Sequence, residues 1–120
     1  MCKFDYKILE RQIISNYKQL DNKVWTAADY IKTIEYFMRA YEKYRKRSHY
    51  PLSNENLKII MHKLPFADNE NDNQAELTPS DYKAMINRYF NTKYKNGCDY
   101  SIYHFLSDGV RIIKYYECCY

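Results

Sequence analysis

The sequence predicts an all-α fold in a single compact domain of five or six helices, and three observations predict it. Glycine occurs twice and proline three times in 120 residues, so few positions interrupt a helix. A helix-start signature recurs three times. After each start the apolar residues return every three or four positions, the spacing of one helix face. A chain of 120 residues fits one core, and it buries roughly two-thirds of its unfolded surface without a metal or disulfide staple.

The elements follow in order. Tyr6, Leu9, Ile13, Tyr17 and Leu20 mark a first helix, about 4–20. In Trp25-Thr26-Ala27-Ala28-Asp29-Tyr30, Thr26 is the N-cap and Asp29, three residues on, reaches back to it, while Trp25 and Tyr30 form a hydrophobic staple. The helix at 27–48 has Ile31, Ile34, Met38 and Tyr41 on its apolar face, flanked by Tyr30, Phe37 and Tyr44, and ends at His49-Tyr50-Pro51. Ser53 caps a third helix, 54–64, whose stripe is Leu57, Ile60, Met61 and Leu64 and which Pro65 stops. In Leu77-Thr78-Pro79-Ser80-Asp81-Tyr82, Thr78 caps, Pro79 takes the first helical position and Asp81 closes the box. That helix, 79–95, carries Tyr82, Met85, Ile86, Tyr89 and Phe90, with Asn96-Gly97 as its stop.

Between the third and fourth helices, 67–77 is acidic, asparagine-rich and without apolar period, so a mobile loop is expected. The last stretch, 99–120, admits two readings. Polar residues at Ser101, His104, Ser107, Arg111, Lys114 and Glu117 recur at helical spacing and predict helices over 100–106 and 108–118, with Ser107 capping the second. Asp108-Gly109 between aromatic and β-branched segments is a hairpin signal; a hairpin over 101–117 would make the fold α+β and winged-helix-like. The expected core is Ile13, Tyr17, Trp25, Ile34, Phe37, Met38, Tyr41, Leu57, Ile60, Leu64, Met85, Ile86, Phe90, Phe105 and Ile113.

Several functions find no support. Two glycines leave no phosphate-cradling or dinucleotide-binding loop, and no nucleophile elbow or paired carboxylates stand out, so a non-enzyme is expected. Asp68, Glu70 and Asp72 imitate the start of a calcium loop, but Asn73 and Pro79 stand where glycine and the bidentate glutamate are required. Cys98, His104 and Cys118 or Cys119 match no common zinc spacing, so no metal and no cofactor are expected. The N-terminus, Met1-Cys2-Lys3-Phe4-Asp5-Tyr6-Lys7, has no apolar signal region, and no run is long enough for a membrane helix; reduced cysteines and a cytoplasmic setting are expected, with no membrane partner.

What remains is a binding surface. The net charge is +4, and fifteen tyrosines are interleaved with basic residues. Arg39, Lys43, Arg45, Lys46, Arg47 and His49 form one cluster; Lys83, Arg88, Lys93 and Lys95 lie on the outer side of the fourth helix, and Arg111 and Lys114 can add to either. Lysine and arginine neutralise phosphates and tyrosine stacks on bases, which predicts DNA or RNA binding; tyrosine and arginine also dominate protein interfaces. The first expectation is a small regulatory or inhibitory protein that occupies a surface on a larger protein, a profile shared with phage or mobile-element factors of the anti-CRISPR kind. The alternative is a nucleic-acid-binding module using 39–49 and 79–95. Asp68, Glu70, Asp72 and Glu76 are a further contact set, suited to a basic groove.

Overall fold

The computed structural model describes residues 4–21, 24–68, 74–95 and 97–119. Within them lie six helices and one short ribbon: α1 (Tyr6–Tyr17), α2 (Ala27–Arg45), α3 (Asn54–Lys63), β1 (Phe66–Asp68), β2 (Gln74–Glu76), α4 (Pro79–Phe90), α5 (Ile102–Phe105) and α6 (Asp108–Cys119). The fold is all-α in one domain. α2 is the hub, packing on α1 and α4; α4 packs in turn on α6, and α1 on α3.

The expected starts form as local chemistry requires. Thr26 and Thr78 each accept the amide of the aspartate three residues on, and Asp29 and Asp81 each accept the cap's own amide, giving two closed capping boxes. Ser53 accepts from Asn56 N–H at 3.1 Å. The Trp25–Tyr30 staple forms, with ring centroids 5.2 Å apart. Trp25 is also tied across the fold, its indole N–H donating to the Leu77 carbonyl at 2.8 Å.

The core is unusually aromatic, and this is where much of the tyrosine goes. Tyr30, Tyr82 and Tyr89 are fully buried beside Phe37 and Phe105. The Phe37 ring lies within 5.2–6.2 Å of Phe90, Phe105, Tyr89 and His49. Such pairs add about 0.5–1.5 kcal/mol each beyond the area they bury. The buried phenols find acceptors: Tyr82 Oη donates to the Leu64 carbonyl at 2.7 Å, and burial pushes its pKa up to about 12.

Helix ends and the C-terminal face depart from expectation. α1 covers 6–17 rather than 4–20, because Asp5 caps it by accepting from Lys7 and Ile8 N–H. α2 stops at Arg45, where Lys46 turns left-handed (φ 61°). α4 stops at Phe90 instead of 95: Thr92 Oγ1 bonds back to Arg88 O, and the Tyr100 hydroxyl donates to Thr92 O while accepting from Tyr94 N–H. The C-terminal stretch forms α5 and α6, two helices over 102–105 and 108–119, and not a hairpin. Ser101 caps α5, whereas Ser107 Oγ donates to His104 O and leaves its carbonyl to take Arg111 N–H.

The expected loop at 67–77 is partly ordered. Its flanks pair as an antiparallel ribbon with Phe66 opposite Glu76 and Asp68 opposite Gln74. Buried Leu77 anchors the return, its N–H donating to the Pro65 carbonyl at 2.8 Å. Residues 69–73, and with them Glu70 and Asp72, lie outside the described residues.

α6 is turned over relative to its apolar pattern. Ile113, expected in the core, is 58% exposed, while Arg111 and Lys114, expected on the surface, are 5% and 3% exposed. Arg111 Nη1 donates to the carbonyls of Lys63 (2.6 Å) and Phe66 (3.0 Å), so it supplies donors to the end of α3 and the start of β1. Lys114 bonds Glu117 at 2.8 Å and lies over the Tyr94 ring. These carbonyls at the end of α3 and the start of β1 take their donor from Arg111, and that demand outweighs the outward preference of the charge.

Candidate functional site

α2 keeps its acidic residues away from the side that meets α4. Glu35 and Glu42 face α1. Burial and neighbouring Glu10 hold the Glu35 carboxyl above its ordinary pKa, and Glu42 accepts from Tyr6 and Ser48 hydroxyls. Asp29 is consumed by the Thr26 capping box. Lys32 and Lys43 fall on the α4 side, with Tyr36 and Tyr44 between and beside them.

α4 meets this side in matching order. Tyr36 Oη donates to Asn87 Oδ1 at 2.6 Å, and Lys83 Nζ stands 5.8 Å from the centre of the Tyr36 ring. Farther along, Asn91 Nδ2 reaches Tyr44 Oη at 3.5 Å, and Tyr44 stacks on Phe90. Asn91 Nδ2 also donates to Asn87 O. The two helices thus share one outer face bearing Lys32, Lys43, Lys83, Tyr36, Tyr44, Asn87 and Asn91. At its Lys32–Lys83 end lies an open groove of about 220 Å³ that Tyr36, Ser80 and the buried Thr33 also line; the Thr33 hydroxyl has no hydrogen-bond partner among the described residues.

The basic residues expected in one 39–49 cluster are distributed over several faces. Arg39 stacks over Tyr6 at 4.1 Å, on the α1 side. Arg45 stacks over Tyr100 at 4.6 Å, near the α5 approach. Lys43 alone of the set joins the α2–α4 face, 5.5 Å from the Tyr44 ring centre. Lys46 and Arg47 are exposed past the helix end, and His49 is buried. On the other set, Lys83 is on the shared face, Arg88 is paired with Glu117 at 3.2 Å, and Lys93 and Lys95 are exposed beyond the end of α4. Arg111 and Lys114 belong to the interior. Of the acidic set, Glu76 is exposed at the end of β2.

Sequence reasoning missed Lys32, Tyr36, Asn87 and Asn91. The signal was present: 32, 36 and 43 share one side of a helix, as do 83, 87 and 91. What the sequence lacked was which neighbour each side meets.

Two other constellations exist. Tyr89 Oη lies 2.7 Å from His104 Nδ1, and Cys98 Sγ lies 3.5 Å from the same nitrogen. Burial raises the Tyr89 pKa strongly, so the phenol keeps its proton, and the direction of its bond to the imidazole follows the ring's tautomer. Cys118 sits elsewhere, against the Ala84 carbonyl of α4, and among the described residues no group of three ligands could hold a metal ion. The second is an open groove of about 320 Å³ between α3 and α5, lined by Ile59, Lys63, Tyr103 and Leu106, with Tyr50 stacked on Tyr103.

No family model, curated protein or solved structure matches the chain. Among the described residues, no helix is long and apolar enough to cross a membrane.

Proposed function

We propose that the protein is a non-catalytic nucleic-acid-binding module that contacts phosphates through the shared α2–α4 face. The observation that carries this reading is that the acidic residues of α2 lie away from its α4 side. Its acidic residues are turned to α1 or spent in a cap, while Lys32 and Lys83 share a groove beside Tyr36 and Lys43 lies farther along by Tyr44. Lysine supplies phosphate contacts without sequence readout, and tyrosine adds stacking or hydrogen bonds. The test is fluorescence anisotropy with mixed-sequence duplex and single-stranded probes across a salt series. Lys32→Ala/Lys83→Ala should reduce the log–log salt slope by about 1.8 on duplex, or about 1.4 on single strands. Absence of binding at low salt, or an unchanged slope in the double variant, defeats the reading.

A second reading is a small inhibitory or regulatory protein, of the anti-CRISPR kind, that occupies a surface on a larger protein. The α3–α5 groove favours it, because Ile59 is 56% and Tyr50 46% exposed beside Tyr103. Ile59→Glu would then abolish binding to a purified partner while leaving nucleic-acid affinity unchanged.

A further inference from the structure

We infer that the α2–α4 face takes single-stranded nucleic acid, with one unpaired base stacked on Tyr44; this rests on the nucleic-acid reading above and names its ligand. Tyr44 and Phe90 lie parallel, with 2° between ring planes and 5.5 Å between centroids. Phe90 is only 9% exposed, so it is a fixed backing, whereas Tyr44 remains 38% exposed. One side of the Tyr44 ring is therefore held, and the exposed part carries only the flexible Lys43 side chain, 5.5 Å from the ring centre. Asn91 Nδ2 lies 3.5 Å from its hydroxyl. A pre-positioned aromatic face loses little freedom when a base lands on it.

The cations fit the same ligand. Lys43 stands over the Tyr44 ring at 5.5 Å on a flexible exposed stem, free to move onto the phosphate beside a stacked base. Lys32 lies eleven residues back along α2, about 16 Å at 1.5 Å per residue, and shares its groove with Lys83. A strand laid along α2 meets a stacking platform at one end and a lysine pair at the other.

Width argues against a duplex groove. Tyr36 and Asn87 bond directly across the two helices, so α2 and α4 present one surface rather than one projecting helix. Two packed helices, each about 10 Å across with axes 8–10 Å apart, are near 20 Å wide, against a major groove of about 12 Å. Inside a duplex both faces of a base are already covered, so only an unpaired base can use Tyr44.

The experiment compares labelled oligo-dT with a mixed-sequence duplex of equal length, using the wild type, Tyr44→Leu and Tyr44→Trp. Leucine keeps apolar contact with Phe90 but removes the ring. The expected results are at least tenfold tighter binding of oligo-dT, and a loss of about 5- to 150-fold for it in Tyr44→Leu with the salt slope unchanged. Tyr44→Trp should show indole fluorescence quenched by oligo-dT and not by duplex, a readout that stands even where Tyr44→Leu folds poorly. Duplex binding as tight as oligo-dT, or no quenching, overturns the single-strand assignment and leaves the nucleic-acid reading intact. No binding of either probe at low salt sinks both.

Discussion

Acidification from about pH 7 to about pH 5 should destabilise this fold through His49. The ring is 2% exposed, and each nitrogen has one partner. Nδ1 donates to the Tyr50 carbonyl at 2.8 Å, and Nε2 accepts the Ile102 N–H at 3.2 Å. Only the neutral imidazole can do both. Protonation puts an N–H at Nε2 against the N–H of Ile102, so a buried donor at the start of α5 loses its acceptor at a cost of about 1–3 kcal/mol. Burial among Phe37, Tyr41 and Tyr50 accordingly lowers the His49 pKa from its ordinary 6.5; the Tyr50 carbonyl and Asp99 pull more weakly the other way. Because the folded pKa is depressed, the contribution is complete above 6.5 and is lost as pH falls below it, at no more than about 1.4 kcal/mol per pH unit. Other shifted carboxyls do not imitate the effect in this window. Glu35 is raised, so it favours the folded state as pH falls, and the lowered Asp99 and Glu117 lose their contributions only below their ordinary values of 3.8 and 4.5. Over the 1.5 units between 6.5 and pH 5 the loss is therefore at most about 2 kcal/mol, and a loss of about 1–2 kcal/mol corresponds to a Tm drop of roughly 4–8 °C for a domain of this size. Thermal melts followed by circular dichroism at the two pH values measure it. His49→Gln, which cannot titrate, should start less stable and show a flatter pH response. A wild-type Tm that does not fall, or a variant that falls equally, refutes the assignment.

Three further outcomes are expected. Arg111→Met should cost about 2–4 kcal/mol in urea unfolding, because the Lys63 and Phe66 carbonyls lose their donor, and Arg111→Lys should recover less than half of it. Thr26→Ala and Thr78→Ala should each cost about 1 kcal/mol and add in the double variant, since the two capping boxes share no partner. Lys46→Gly should not destabilise the protein and should raise stability by up to about 1 kcal/mol, because Lys46 holds a left-handed φ of 61°.

Helix starts were legible because capping is local. Thr26 with Asp29, Ser53, and Thr78 with Pro79 and Asp81 satisfy amides within three residues, so neighbouring sequence contains the whole interaction. Helix ends were less so. α4 stops at Phe90 because Tyr100 captures the Thr92 carbonyl and the Tyr94 amide, a contact formed only once the 91–101 segment folds back. The ribbon was missed for a related reason: strands of three residues carry almost no alternation, and buried Leu77 marks the return only in three dimensions.

The grouping of the basic residues was less legible, and α6 shows why. Its polar residues at 111 and 114 correctly gave the helical period, but a period says which residues share a side, not which side faces inward. The usual rule would place Arg111 and Lys114 outward. Here the interior contains the carbonyls of Lys63 and Phe66, polar groups contributed from elsewhere in the chain, and the donors follow them. His49 repeats the logic: it belongs to a basic run in sequence, yet the Ile102 amide needs an acceptor and draws it inside. Basic residues that satisfy such internal groups are unavailable to a partner. Removing Arg111, Lys114 and His49 from the surface, Arg39 and Arg45 to Tyr6 and Tyr100, and Arg88 to Glu117 leaves Lys46, Arg47, Lys93 and Lys95 exposed past the helix ends, and Lys32, Lys43 and Lys83 on the side where α2 meets α4. A binding surface on this protein is therefore better sought among the cations that the fold does not use than along the densest basic stretch of its sequence.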